Sequence, residues 1–372
     1  MQRLGFRPAD DGLECRRGSA GRITSREVVG VTLPTRLALS SLMAGVALIV
    51  AYLEMVAEKD ASAPRTQIWS SQVEGVGAVE LVRCSPDGAT LASLDSNGHA
   101  ILWEIATGRR RETQPGHLEG IQSLAFSPDR RTLATGGADA TIRLWDLESA
   151  ELRSELRAPT GSIRALAFSA DGRMLASASA TGTLILWAMR AGYPQLTRIE
   201  TAAGISSVAV APDGSRLATA QTDGHVKIWD ATSPGPASIL GRFSHAARTV
   251  AFSPNGRILA ASAIYDRVIR LWDLPLGRER ARLCGPPPDA SDVTFSPDGQ
   301  IVACAGGDGS LRFWDVDTGR DRAVVDGGSG RVRAVAFAPD GRLLASAGND
   351  RFLRLWDYTQ LLSRNGDSSP SR

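Results

Sequence analysis

The stretch Ala140–Glu148 reads ATIRLWDLE, apolar and polar positions alternating into Trp145 and Asp146. Alternation with period two is the pattern of a half-buried strand. The role of the Trp-Asp pair depends on whether it recurs. Tryptophans stand at Trp103, Trp145, Trp187, Trp229, Trp272, Trp314 and Trp356, at successive spacings of 42, 42, 42, 43, 42 and 42 residues. A catalytic motif occurs once, or twice after duplication; seven copies at a near-fixed period are architecture. An acid follows the Trp in six copies (Glu104, Asp146, Asp230, Asp273, Asp315 and Asp357), and Ala188 takes its place in the third.

A second element recurs about twenty residues before each Trp: CSPDG at 84–88, FSPDR at 126–130, FSADG at 168–172, VAPDG at 210–214, FSPNG at 252–256, FSPDG at 295–299 and FAPDG at 337–341. In such a turn Pro presets φ, Asp or Asn bonds the local backbone, and Gly accepts a positive φ. Short β-branched and apolar runs flank each turn, so every repeat reads as an antiparallel meander. There is room for a fourth strand after the Trp, as in ELRSELRA at 151–158.

These repeats resemble those of the WD-repeat (WD40) family, over about residues 66–360. The resemblance implies an all-β fold, a seven-bladed β-propeller of four-stranded antiparallel blades. Radial stacking would bury each blade against its neighbours. The chain after Trp356 is polar and poor as a last strand, whereas TQIWSSQ at 66–72 is a spare β-like segment with the eighth Trp, Trp69. In this family such an N-terminal strand completes the last blade, which removes an exposed edge. The family's buried network joins a strand Trp, a Ser or Thr ten residues earlier, an Asp six earlier, and a His after Gly. The second repeat matches it fully with Trp145, Thr135, Asp139 and His117; the other repeats match in part.

The front of the chain is different. LALSSLMAGVALIVAYL, 37–53, holds no charge over seventeen residues, the short end of what a spanning helix needs. We expect one hydrophobic helix before the propeller, a transmembrane signal anchor at 36–57. A disordered basic arm would occupy 1–35 and a linker 58–65. The propeller would run over 66–360 and a disordered tail over 361–372. The rival reading of the apolar run is a cleavable signal peptide with its site at Ala61-Ser62-Ala63, although such apolar cores are usually shorter. Residues 1–36 carry seven Arg and residues 54–65 only Lys59 and Arg65. By the excess of basic residues we expect a cytoplasmic N-terminus and an exported propeller, and the similarity of the repeats to bacterial members implies a periplasm or its equivalent. A start codon assigned too far upstream would instead make the chain a soluble cytoplasmic scaffold.

No motif of catalysis or metal binding stands out. There is no G-x-S-x-G, H-E-x-x-H or P-loop, and the four cysteines (Cys15, Cys84, Cys284 and Cys304) lack metal-ligand spacing. Cys84 and Cys304 read as small buried hydrophobes. A net charge of +2 argues against a nucleic-acid footprint. No cofactor or catalytic residue is expected. The family resemblance implies a non-catalytic, monomeric scaffold that docks protein or peptide partners at one rim of its channel. The rim positions, four and six residues before the first-strand aromatic and one before the network Asp, include Arg164, Arg248, Arg331, Arg333 and Tyr265. Arg and Tyr are favoured at hot spots, and these five suggest an acidic partner, of identity unknown, on blades 5 to 7. The other reading, a propeller enzyme or small-ligand binder using the channel, would require acids or His to converge there.

Overall fold

The structure, a computed structural model, describes residues 66–73, 77–114, 117, 119–158, 161–233, 235–285 and 290–365. The expected arm at 1–35, transmembrane helix at 36–57 and linker at 58–65 lie outside them. Among the described residues no helix is long and apolar enough to cross a membrane.

Seven four-stranded antiparallel sheets form the propeller blades. Blade 1 comprises Val79–Cys84, Thr90–Asp95, Ala100–Glu104 and Arg110–Gln114. Blades 2 to 6 repeat this order, with innermost strands Ile121–Phe126, Ile163–Phe168, Ile205–Val210, Ala247–Phe252 and Asp292–Phe295. Blade 7 takes Val332–Phe337, Leu343–Gly348 and Phe352–Asp357 from the end of the chain. Its outermost strand is Gln67–Gln72 from the beginning, antiparallel to Phe352–Asp357. The innermost strands of blades 1 and 7 pack on each other, so the ring is closed.

The turn chemistry explains why each meander forms. In blade 1 the Ser85 hydroxyl donates to Asp87 Oδ1 at 2.5 Å and accepts from the Thr90 N–H, while the same carboxylate oxygen accepts from the Ala89 N–H. The pattern repeats at Ser127–Asp129, Ser169–Asp171, Ser253–Asn255 and Ser296–Asp298. The Gly that follows sits near φ +70° in six blades, at Gly88, Gly172, Gly214, Gly256, Gly299 and Gly341. Blade 2 puts Arg130 in that left-handed conformation, φ +63°.

Between blades lie seven separate apolar clusters, and each motif Trp belongs to a different one. Trp145 of blade 2, for example, packs with Ala92, Leu94 and Leu102 of blade 1. The core is therefore distributed around the ring, which is how 280-odd residues avoid needing one oversized interior. The motif acid is local: Asp146 accepts from the N–H groups of Glu148 and Ser149 and pairs with Arg153. These bonds hold its carboxyl down at about 2. It shapes a loop.

One boundary differs from expectation. The propeller does not give way at 361 to a disordered tail. Tyr358–Asn365 is an α-helix, with Leu361 only 3% exposed. Tyr358 stacks edge-on against Phe337 and tilts against Phe313, and Leu361 joins the same cluster between blades 6 and 7. Tyr358 and Leu361 at helical spacing, with Leu362 partly buried against the same cluster, dock one face of the segment. Residues 366–372 lie outside the described set.

Candidate functional site at the channel mouth

Each innermost strand except that of blade 6 carries a register shift just after its first residue, as between Val79 and Leu81 or Ile163 and Ala165. Such a bulge re-aims a side chain. The second residues at this level are Glu80, Gln122, Arg164, Ser206, Arg248 and Arg333; Ser291 stands at the corresponding place in blade 6. All seven line one cavity of about 480 Å³ in the central channel, at the end where the innermost strands begin. Three of the five arginine and tyrosine candidates, Arg164, Arg248 and Arg333, therefore converge on one space from blades 3, 5 and 7.

The other two lie outside the cavity lining. Arg331 donates from Nε to the Ser291 hydroxyl at 3.0 Å. Tyr265 is 65% exposed in the lengthened loop of blade 5, at φ +59°, with its ring edge-on to His245 at 5.8 Å.

Two residues that the sequence reading did not single out complete the site. Penultimate positions of the innermost strands are Ala125, Ala167, Ala209, Ala251 and Ala336 in blades 2, 3, 4, 5 and 7, and Thr294 in blade 6; blade 1 has Arg83. Arg83 donates to the Val82 carbonyl and reaches Asp292 of blade 6, Nη1 to Oδ2 at 3.2 Å. An alignment of the repeats exposes Arg83 as the one large residue in a small-residue register. Asp292 has no such signal, because its partners come from blades 1 and 7. Its Oδ2 also accepts the Val335 N–H.

The carboxylates of the cavity are all engaged. Glu80 accepts from Arg333 at 2.7 Å, Asp292 from Arg83, and Asp95 from the N–H groups of Asn97 and His99. The arginines are not matched in number. Arg248 gives its Nε to the Ser291 carbonyl at 2.9 Å. Burial lowers its pKa, and the nearby Arg331 and Arg333 add to this against the pull of Asp292 and Glu80. A guanidinium nevertheless stays charged at working pH. No group of three His, Cys, Asp or Glu suited to a metal occurs among the described residues. Cys84 and Cys304 are free thiols. Burial pushes the first up to about 12 and the second further, so neither has thiolate character.

The blade 2 network is a relay of hydrogen bonds away from the cavity. Trp145 Nε1 donates to Thr135 Oγ1 at 2.9 Å, His117 Nε2 lies 2.9 Å from that hydroxyl, and His117 Nδ1 lies 2.9 Å from Asp139 Oδ1. Burial lowers the His117 pKa, against the opposing pull of Asp139. The Asp139 carboxyl is held below its ordinary range, against its partial burial, by the hydrogen bonds from Thr141 and by His117. Burial decides the matter: the His117 side chain is fully enclosed, so a neutral ring fits best. Nδ1–H then donates to Asp139, and Nε2 accepts from Thr135. All four groups are satisfied, which makes this a structural pin between strands.

With its Trp-Asp repeats, closed ring of seven blades and buried network, the chain is a WD-repeat β-propeller. More particularly, residues 78–357, well over half the chain, match the family model described as the IFT122 first beta-propeller, and the chain belongs to that family. None of the curated proteins compared with the chain matches it.

Proposed function

We propose that the protein is a protein-interaction scaffold whose docking surface is the arginine-lined channel mouth, with an acidic protein segment as its occupant. Arg164, Arg248 and Arg333 reaching one cavity from three blades is the observation that carries this reading. Rigid sheets hold these side chains at one level, and Arg is favoured at hot spots. Membership of a propeller family supports the scaffold role in general. The non-catalytic reading rests on the same features: every cavity carboxylate is committed to a partner, which leaves no free base beside a nucleophile. We further propose that the apolar run 37–53 anchors the chain in a membrane, N-terminus in the cytoplasm and propeller exported, on the arginine bias of residues 1–36.

The test is site-specific photo-crosslinking in intact cells. A photoreactive residue replaces Gln122, which is exposed at the mouth. A discrete protein adduct is expected, lost on joint reversal of Arg164, Arg248, Arg331 and Arg333 to Glu. An adduct that survives the reversal would sink the docking site. Protease digestion of the propeller only after the outer barrier is opened is the expected sign of export; protection until lysis would refute it.

A further inference from the structure

The charge in the channel cavity is unevenly distributed. On the arc of blades 6, 7 and 1 each cavity arginine meets an acid: Arg333 pairs with Glu80 at 2.7 Å and Arg83 with Asp292 at 3.2 Å. On the arc of blades 3, 4 and 5 no carboxylate among the described residues lines the cavity. Arg164 and Arg248 stand there at the same level, second residues of Ile163–Phe168 and Ala247–Phe252. Ser206 holds that level in the blade between them. Among the described residues Arg164 has no hydrogen-bond or ion-pair partner, and Arg248 has only the Ser291 carbonyl.

A cation drawn partly out of water without an anion loses hydration and gains nothing in return. Burial and the like charges of Arg331 and Arg333 already press on Arg248. An anion between Arg164 and Arg248 would relieve both costs. The donors suit it. A guanidinium carries five N–H groups, of which Arg248 uses one. Ser206, on the blade between them, adds a hydroxyl donor to the same lining. Planar forks favour the bidentate geometry of carboxylate and phosphate oxygens.

We infer that Arg164, Ser206 and Arg248 form a binding site for a doubly charged oxyanion group, a phosphate ester or a pair of neighbouring carboxylates. The cavity of about 480 Å³ is far larger than the oxyanion alone, so the group arrives on a carrier that fills the remainder. This deepens the docking reading and rests on it only for the carrier: the oxyanion would be the anchor that an acidic segment inserts. It also moves the anchor to blades 3 to 5, away from the blade 5 to 7 arc that the linear pattern of arginines suggests.

The experiment is calorimetric titration of the purified full chain with two probes, inorganic phosphate and a capped hexaglutamate peptide. Variants are Arg164→Gln, Arg248→Gln and, as a control on an outer strand, Arg157→Gln. At least one probe is expected to bind. Each cavity variant should weaken it about tenfold or more, the loss of one charge-assisted contact. The control should bind as wild type does. Equal affinity in wild type and both cavity variants overturns the site. So does no binding of either probe up to about 10 mM, past the range of a weak specific site. If Arg248→Gln fails to fold, Arg164→Gln carries the test, since that side chain is exposed and unbonded. Peptide binding supports both the site and the acidic-segment reading. Phosphate binding alone supports the site and shifts its carrier to a phosphorylated ligand. If neither probe binds while the crosslinked adduct still depends on the mouth arginines, the inference fails and the docking reading stands.

Discussion

Arg333 Nη1 donates to Glu80 Oε2 at 2.7 Å, joining the innermost strands of blades 7 and 1 although 253 residues separate them in the chain. The pair lies across the ring closure and neutralises one side of the channel mouth. Both side chains still keep about a quarter to a third of their surface in water, so solvent screens part of the attraction and the pair contributes about 1 kcal/mol or less. Its larger effect is on the field in the cavity. Glu80→Gln removes one negative charge and releases Arg333. The unfolding midpoint should shift slightly, while hexaglutamate affinity rises a few-fold at low salt, with the gain shrinking as salt is added. Titration at two chloride concentrations checks this; an unchanged affinity would mean that the mouth does not meet the peptide.

Among the described residues the buried Trp314 has no acceptor for its indole N–H, and the residue ten positions before it is Cys304. In blades 1, 2, 3, 4 and 7 that position is Ser93, Thr135, Ser177, Thr219 or Ser346, and its hydroxyl accepts the indole bond at 2.7–3.0 Å. Cys304→Ser is close to isosteric and restores the acceptor. It should stabilise the protein by about 1 kcal/mol, read as a higher urea midpoint at constant slope. A lower midpoint would mean that the new hydroxyl is buried without reaching the indole.

Arg130 holds the left-handed φ that Gly takes in the equivalent turn of the other six blades. A side chain there costs about 1–2 kcal/mol relative to Gly. Its compensation is a 3.9 Å contact with Asp87 through a side chain that is largely exposed, which is weak. Arg130→Gly should therefore raise the thermal midpoint in spite of the extra freedom Gly gains when unfolded. A fall would show that the contact between the blade 1 and blade 2 turns outweighs the backbone cost.

Much of the fold is legible in the sequence because its determinants are local and repeated. A Pro-Asp-Gly turn and a Trp twenty residues later state the meander seven times over. The match of Trp145, Thr135, Asp139 and His117 to one network rests on fixed offsets inside a single repeat. What the linear pattern does not carry is the pairing across the channel. Arg333 looks the same as Arg248 by register, yet among the described residues Arg333 pairs with Glu80 while Arg248 has no direct acid partner. Arg83 reaches Asp292 over 209 positions of chain. The helix Tyr358–Asn365 was hidden for a related reason: its apolar face is only Tyr358, Leu361 and Leu362, and only the groove between blades 6 and 7 gives it something to cover.

His117 gives the protein a pH dependence whose sign follows from its burial. Its folded pKa lies below the ordinary value of 6.5, so near and below that pH the unfolded chain binds the proton more readily. The contribution to stability is complete above 6.5. It is lost progressively as pH falls through 6.5 toward the folded value, where protonation would break the Thr135 bond. Unfolding midpoints at pH 7.5 and 5.5 should show wild type losing more stability than His117→Asn, which starts lower. Removing the ring leaves Thr135 and Asp139 with fewer partners, at a cost of about 1–3 kcal/mol. Parallel pH profiles would place the acid sensitivity elsewhere.

Trp69 adds a second tie across the ring closure. It belongs to the outermost strand of blade 7, yet its indole N–H donates to the Ile105 carbonyl of blade 1 at 2.8 Å. Its ring packs with the cluster between those blades and lies against Gly108, where an added Cβ would stand 3.0 Å from the indole. One side chain thus ties the first strand of the propeller both to the blade it completes and to the next one around. Trp69→Ala removes the bond and half-buried aromatic surface, an expected loss of about 2–3 kcal/mol. Ile68 in the same strand is 49% exposed, and Ile68→Ala should cost under about 0.5 kcal/mol. The strand also presents an unpaired edge once it lifts, so Trp69→Ala should aggregate on heating before wild type does. Chemical denaturation and light scattering of the two variants check both points. Equal losses in the two would mean that pairing with Phe352–Asp357 alone closes the ring, with Trp69 dispensable.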